Sequence, residues 1–255
     1  AMTVLLAVLA GLQYHWTGEI GRAEADRQRT RLERASQRFA RGLGHEVGQV
    51  VGAFRPDAPG RGAPDPRTLL LRRLESWSGS EHAGLVSRVV VVTLGESGPV
   101  AEEATTSSLD FTEVPLPPQL AGLAEPLGAR ARGERPPGGG FRPDSFLTNP
   151  PGFLMPLIRP GGAGARPFGP GSVRLNGMAL VELDEGYLGE VLLPELAEVH
   201  VGPLSEGDFA VAVLRREDQS ILYVSDPDLR PRELARADVR LDLDVGPGRF
   251  GGRGF

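Results

Sequence analysis

The chain has 255 residues, of which 40% are hydrophobic and 24% charged, with a net charge of −5; that suffices for one large domain, or a domain with appendages, around a packed core. Aromatics make up only 6%, so the core is expected from Leu, Val and Ala; all 28 basic residues are arginine. The lack of cysteine excludes disulfides, thiolate metal sites and cysteine nucleophiles, and an acidic chain without a concentrated basic stripe predicts no nucleic-acid partner.

The stretch Met2–Leu12, "MTVLLAVLAGL", carries no charge. It is shorter than the roughly 20 apolar residues that a span needs. No basic flank marks a signal peptide, and Tyr14 and Trp16 follow where amphipathic rings sit at a membrane interface. Residues 1–13 therefore read as the end of a transmembrane helix, with Leu12, Tyr14 and Trp16 as transmembrane or interface residues. A trimmed signal sequence or a buried helix end is the alternative.

From residue 14 to 55 a long amphipathic helix is expected. Its apolar positions are Leu12, Trp16, Ile20 and Ala23, then Leu32, Ala35, Phe39, Leu43, Val47, Val50 and Phe54, read as one stripe. Between the two sets, the polar "EADRQRTR" (24–31) predicts a solvated stalk held by close charge pairs. Prolines and glycines end the helix after Phe54. A second helix is predicted over 66–77, with Leu69, Leu70, Leu74 and Trp77 inward.

"GLVSRVVVVTLG" is too apolar for a half-exposed strand, so it should lie centrally in a sheet covered on both faces. Residues 96–150 read as flexible loop, apart from a short helix near 119–123. Residues 153–160 read as a strand, 160–172 as a second flexible loop, and 173–183 as an alternating strand. Asp184 caps a helix to about Val199, with Leu188, Val191, Leu192 and Leu196 inward. Residues 209–214 and 221–224 form a hairpin around "RREDQS", and 228–255 are an incomplete tail. The order predicts an α+β domain over 66–227: about five antiparallel strands, a long N-terminal helix, and long Gly/Pro-rich loops.

Catalytic signatures are weak. A zinc helix needs two histidines one turn apart, but the fourth residue after His45 is Gln49, and His15, His82 and His200 stand in different elements. The glycine stretches follow no strand and open no helix, so they cradle no phosphate. No G-x-S-x-G occurs, and "SDPD" (225–228) reads as a turn. Arg88 and Arg159, in or beside apolar strands, are the candidate ligand-binding residues, since an arginine on a sheet can clamp a carboxylate. The alternative is a charge at a strand edge reaching solvent. No catalytic residue, metal site or cofactor is expected in this segment.

"LQYHWTGEIGRAEADRQRTRLERASQRFARGL" resembles the region after the first transmembrane helix of a group of bacterial membrane sensor histidine kinases, through Leu12, Gln13, Tyr14, Trp16, Arg38, Phe39 and Ala40. "MALVELDEGYLGEVLLPELAEVHVG", "DFAVAVLRRED" and "ILYVSDP" resemble the later part of the same extracytoplasmic sensor. The resemblance implies a PAS- or Cache-like signal-input region of a two-component system. Its parent would lie in the bacterial inner membrane as a homodimer, with most of this segment extracytoplasmic. A small-molecule or protein signal is expected as its input. ATP, Mg and a response regulator belong to a kinase core outside this chain. Arginines 22, 27, 29, 31 and 34 favour the cytoplasmic side, but that rule is weaker for long translocated domains. The alternatives are a chemoreceptor or cyclase sensor, or a membrane-anchored extracytoplasmic enzyme or adhesin-like module.

Overall fold

The computed structural model describes residues 2–55, 64–95, 98–131, 146–148, 151–160, 173–201, 209–215, 218–229, 231–234 and 237–241; side chains at 2–25, 124, 130–131, 146, 148, 159–160, 173–176, 231 and 233 lie outside the description. The expected loop at 161–172, the three glycine-rich stretches and the end of the tail also lie outside the described residues. By its internal contacts the chain forms two units, one of residues 1–43 and 193–243, the other built on 44–192. This division cuts the chain differently from the expected boundaries at 14, 55, 66 and 227.

Helix α1 runs unbroken from Met2 to Phe54. Ala35, Phe39, Leu43, Val47, Val50 and Phe54 are buried along it. At 3.6 residues per turn, positions 12, 16, 20 and 23 lie about 150° around the helix from 35, 39 and 43. The expected single stripe is therefore two stripes on different sides, and the polar stretch 24–31 is where the side changes.

The unit built on 44–192 is an α+β fold. Helix α2 (Pro66–Ser78) starts where the Asp65 carboxylate accepts from the Arg67 N–H at 3.3 Å and Pro66 presets the first turn. Leu70, Leu74 and Trp77 are buried as expected, while Leu69 is half-buried. A 3-10 turn at Ala83–Leu85 leads into β1 (Val86–Gly95), followed by β2 (Gly98–Thr105) and β3 (Thr112–Val114). A 3-10 segment (Pro118–Leu123) and α3 (Ala124–Ala131) come next, then β4 (Phe146–Thr148), β5 (Pro151–Pro160) and β6 (Val173–Leu183). The six strands are antiparallel in the order β3-β2-β1-β6-β5-β4.

β1 is central and covered on both faces, as its valine run predicts: Val89 to Val92 are at most 1% exposed. Alternation sends Val90 and Val92 to one face with Ala101, Leu154, Met178 and Leu180, closed over by Leu120, Leu123 and Leu127. Val89 and Val91 go to the other face beside Val181 and Ala179, and α2 contacts β1 and β5. β2, β3, β4 and α3 fall where loop was expected. β2 escaped notice because "GPVAEEAT" fully buries only Ala101 and Ala104, so it lacks the β-branched signature of a strand.

After β6, Asp184 accepts from the Tyr187 N–H at 2.8 Å and caps the short helix α4 (Glu185–Tyr187), which continues as a π turn (Leu188–Leu192) and then α5 (Leu193–Val201). Leu188, Leu192 and Leu196 are buried as expected, but Val191 is 42% exposed. The π turn adds a residue to one turn and so shifts the phase of the apolar pattern.

In the unit of residues 1–43 and 193–243, Leu193, Leu196 and Ala197 of α5 are buried, and the end of α5 meets α1 at Gly42. A Cβ on Gly42 would meet the His200 ring at 2.5 Å and Leu196 at 3.1 Å, so a side chain there forces α5 to shift. Arg38 donates to the His200 carbonyl at 3.2 Å, capping the end of α5. The expected hairpin is present as β7 (Ala212–Leu214) and β8 (Ile221–Val224), but it forms a sheet of its own and does not extend the main one. Its turn places Gln219 at φ 59°. There the Asp218 carboxylate accepts from the Ser220 hydroxyl at 2.7 Å and the Ser220 N–H at 2.9 Å, with Arg215 at 3.6 Å.

These donors, the Ser220 hydroxyl first, hold the Asp218 carboxyl below its ordinary value. A folded-state value below the unfolded one stabilises above the unfolded pKa and is lost as pH falls through the folded value. Side-chain NMR titration should place Asp218 below an ordinary aspartate, and Ser220→Ala should move it back up; an unchanged midpoint in that variant would remove the hydroxyl as cause.

Candidate functional site

Arg88 lies on β1 between Glu103 of β2 and Glu182 of β6. Its Nε and Nη2 reach one oxygen of Glu182 at 3.0 Å each, and its Nη1 reaches Glu103 at 2.9 Å. The side chains are 34%, 27% and 14% exposed for Arg88, Glu103 and Glu182. The register places the three on the face that carries Val90 and Leu180, so they border its apolar cluster. One guanidinium against two carboxylates leaves this place with an excess negative charge. A ligand carboxylate here meets a cation whose donors already point at Glu103 and Glu182. Burial works to lower the pKa of the Arg88 guanidinium, but its bonds to Glu182 and Glu103 outweigh it and raise it above its ordinary value.

The companion candidate, Arg159, stands on β5 opposite Arg174 of β6, and its side chain lies outside the description. The structure does not place it beside Arg88: Arg88 pairs with Glu182, and Glu182 with Gly152 at the other end of β5. Leu12, Tyr14 and Trp16 lie on the helical backbone of α1, with side chains outside the description. Among the described residues, no helix is long and apolar enough to cross a membrane, and no group of three His, Asp or Glu is placed to hold a metal ion. His45 is exposed and bonded to Gln49 at 2.9 Å, so the residue at the position of a second zinc ligand is its hydrogen-bond partner. The "SDPD" carboxylates belong to a turn, in which Asp226 accepts from the Asp228 N–H at 2.9 Å.

A second cluster joins residues that sequence reading left apart. His82, just before the 3-10 turn that opens β1, places Nδ1 3.2 Å from the Tyr187 hydroxyl and Nε2 3.7 Å from Glu46. The last contact is an ion pair whenever the imidazole is protonated. The rings of His82 and Tyr187 meet edge to face at 6.3 Å. The side chains of His82 and Glu46 are 14% and 17% exposed. Tyr187 is set by its own N–H on Asp184, and Asp184 in turn donates its N–H to the Leu85 carbonyl at 3.0 Å. Gly84 lies so close to the Tyr187 ring that a Cβ would overlap it. The cluster thus holds together α1, the entry to β1 and the exit from β6. A second tie between α1 and the residues before β1 is the tilted stack of Phe54 on Trp77, centroids 6.3 Å apart. On the other face, Arg67 of α2 bonds Glu102 of β2 at 2.5 Å and covers the Phe111 ring at 5.3 Å.

The chain matches no family model, no curated protein and no solved structure.

Arg88→Ala leaves two half-buried carboxylates facing each other and should cost about 1–3 kcal/mol in urea denaturation. Glu103→Gln keeps the charge pair with Glu182 and should cost less; equal costs would mean that the charges hardly interact. Gly84→Ala should displace the Tyr187 ring and cost about 1–3 kcal/mol through overpacking. Its direct readout is loss of the aromatic ring-current shift on His82 in NMR; an unshifted His82 signal would contradict the close approach.

Proposed function

We propose that this chain is the signal-input region of a membrane-bound two-component sensor histidine kinase, with a PAS- or Cache-like sheet facing the extracytoplasmic side. One observation carries the reading. The two central strands, β1 and β6, both run into the Glu46–His82–Tyr187 cluster, and that cluster is fastened to a long helix. A signal that alters the packing of the sheet changes how His82 and Tyr187 meet, and α1 takes up the difference through Glu46. A ligand shifts such an equilibrium only by its differential affinity for the two arrangements. The sheet topology adds support. Its first and last strands are neighbours at the centre, and a helical segment links its two halves. The partners in this reading are a small-molecule or protein signal, the membrane and a second copy. ATP, Mg and a response regulator would act at a kinase core outside this sequence.

The coding sequence beyond Phe255 tests the reading directly. A second hydrophobic segment, a phosphoacceptor histidine box and ATP-binding glycine loops are expected. A stop codon soon after Phe255 would sink the kinase, and a chemoreceptor or cyclase output would keep the sensor and replace the kinase. In membranes carrying the whole protein, Glu46→Ala should change basal autophosphorylation several-fold in either direction; wild-type levels with an unchanged signal response would remove the cluster from the relay.

A further inference from the structure

Arg27, Arg31, Arg34, Arg38 and Arg41 are all exposed on α1. Their alternating steps of four and three place them on one side of the helix, over a length of about 21 Å. The concentrated basic stripe that was not visible in the linear sequence is therefore present, with Asp26 at its border and Glu33 turned to Arg29. Arg27, Arg31 and Arg34 lie side by side with Asp26 and Thr30 on an open surface of the helix. Among the described residues no carboxylate pairs with Arg31 or Arg34. The buried stripe of Ala35, Phe39 and Leu43 is turned well away from this side.

The same side continues toward the N-terminus. At 100° per residue, positions 12, 16, 20 and 23 fall in line with 27, 31, 34, 38 and 41. One side of a single helix is thus apolar and aromatic in sequence over 12–23 and basic over 27–41. We infer that this side is a phospholipid-headgroup face, which lays α1 along the surface of an anionic bilayer. A bilayer offers hydrocarbon to the first part and phosphates to the second. A nucleic acid or another free polyanion offers nothing to Leu12, Trp16 and Ile20, and a second copy meeting this side would set arginine against arginine.

The inference rests on the membrane-bound part of the proposed function and adds a geometry to it: the 12–41 side of α1 meets the membrane in plane. The full chain should co-sediment with vesicles of phosphatidylglycerol and phosphatidylcholine, less so as salt rises, and hardly at all with phosphatidylcholine alone. Arg31→Gln with Arg34→Gln should weaken binding about 30-fold, with an unchanged thermal melt because both side chains are exposed. In a Trp77→Phe background, Trp16 is the remaining tryptophan, and its emission should shift to the blue on anionic vesicles. Equal binding to neutral vesicles, or parental binding by the double variant, overturns the inference. So does self-association without vesicles that the double variant abolishes, which would give the face to a second copy. A chain that binds vesicles although its gene ends near Phe255 loses the kinase reading and keeps this one.

Discussion

The pairing of β1 with β6 is the constraint on which the rest of the sheet depends. Both strands lose water on both faces, with Val89 to Val92, Ala179, Leu180 and Val181 at most 1% exposed. Buried backbone N–H and C=O groups must find partners, and here each strand satisfies the other along Val86–Thr93 and Gly177–Leu183. Two covers are then required: α3 with its 3-10 segment on one face, α2 on the other. The charged residues on these strands sit where the covers end. Arg88, Glu103 and Glu182 pair there, half-buried beside the valines, where a charge without a partner would lose part of its hydration.

The central strands also explain why the Glu46–His82–Tyr187 cluster is where it is. Strands paired in the middle of a sheet move together or not at all, since interiors this densely packed transmit small displacements. Residues immediately before β1 and after β6 are the nearest places where such a displacement meets side chains that can rearrange. His82 and Tyr187 occupy those two places, and Gly84 leaves room for the ring between them.

Some of this was legible in the sequence. The valine run of β1 demanded a central strand, Asp65 and Pro66 announced α2, and Asp184 announced the helix after β6; each rests on local chemistry within a few residues. β2 was not legible because its burial comes from small alanines, and β3 because its three residues bury nothing fully and are defined only by pairing with β2. The His82–Tyr187 contact spans 105 positions, and no local signal reports such a distance. His45 stands out in the sequence because it precedes a glutamate in a helical pattern. The glutamate, Glu46, is the member of that pair that enters the cluster, since it lies beside the buried stripe of Val47 and Val50 while His45 faces water. Arg88 was found by its oddity among valines, but its partners lie on strands that sequence reading either missed or could not register.

The sheet ends at both edges in strands of three residues, β3 and β4. β4 covers only the first three residues of β5, and beyond it β5 carries Pro156, which has no N–H to offer a newcomer. Long, regular, unprotected edges let copies of a protein add strand to strand into fibres. Among the described residues, such growth would meet a strand of only three residues at each edge. Among those residues, the valine-rich core sheet thus offers little regular edge through which copies could join strand to strand.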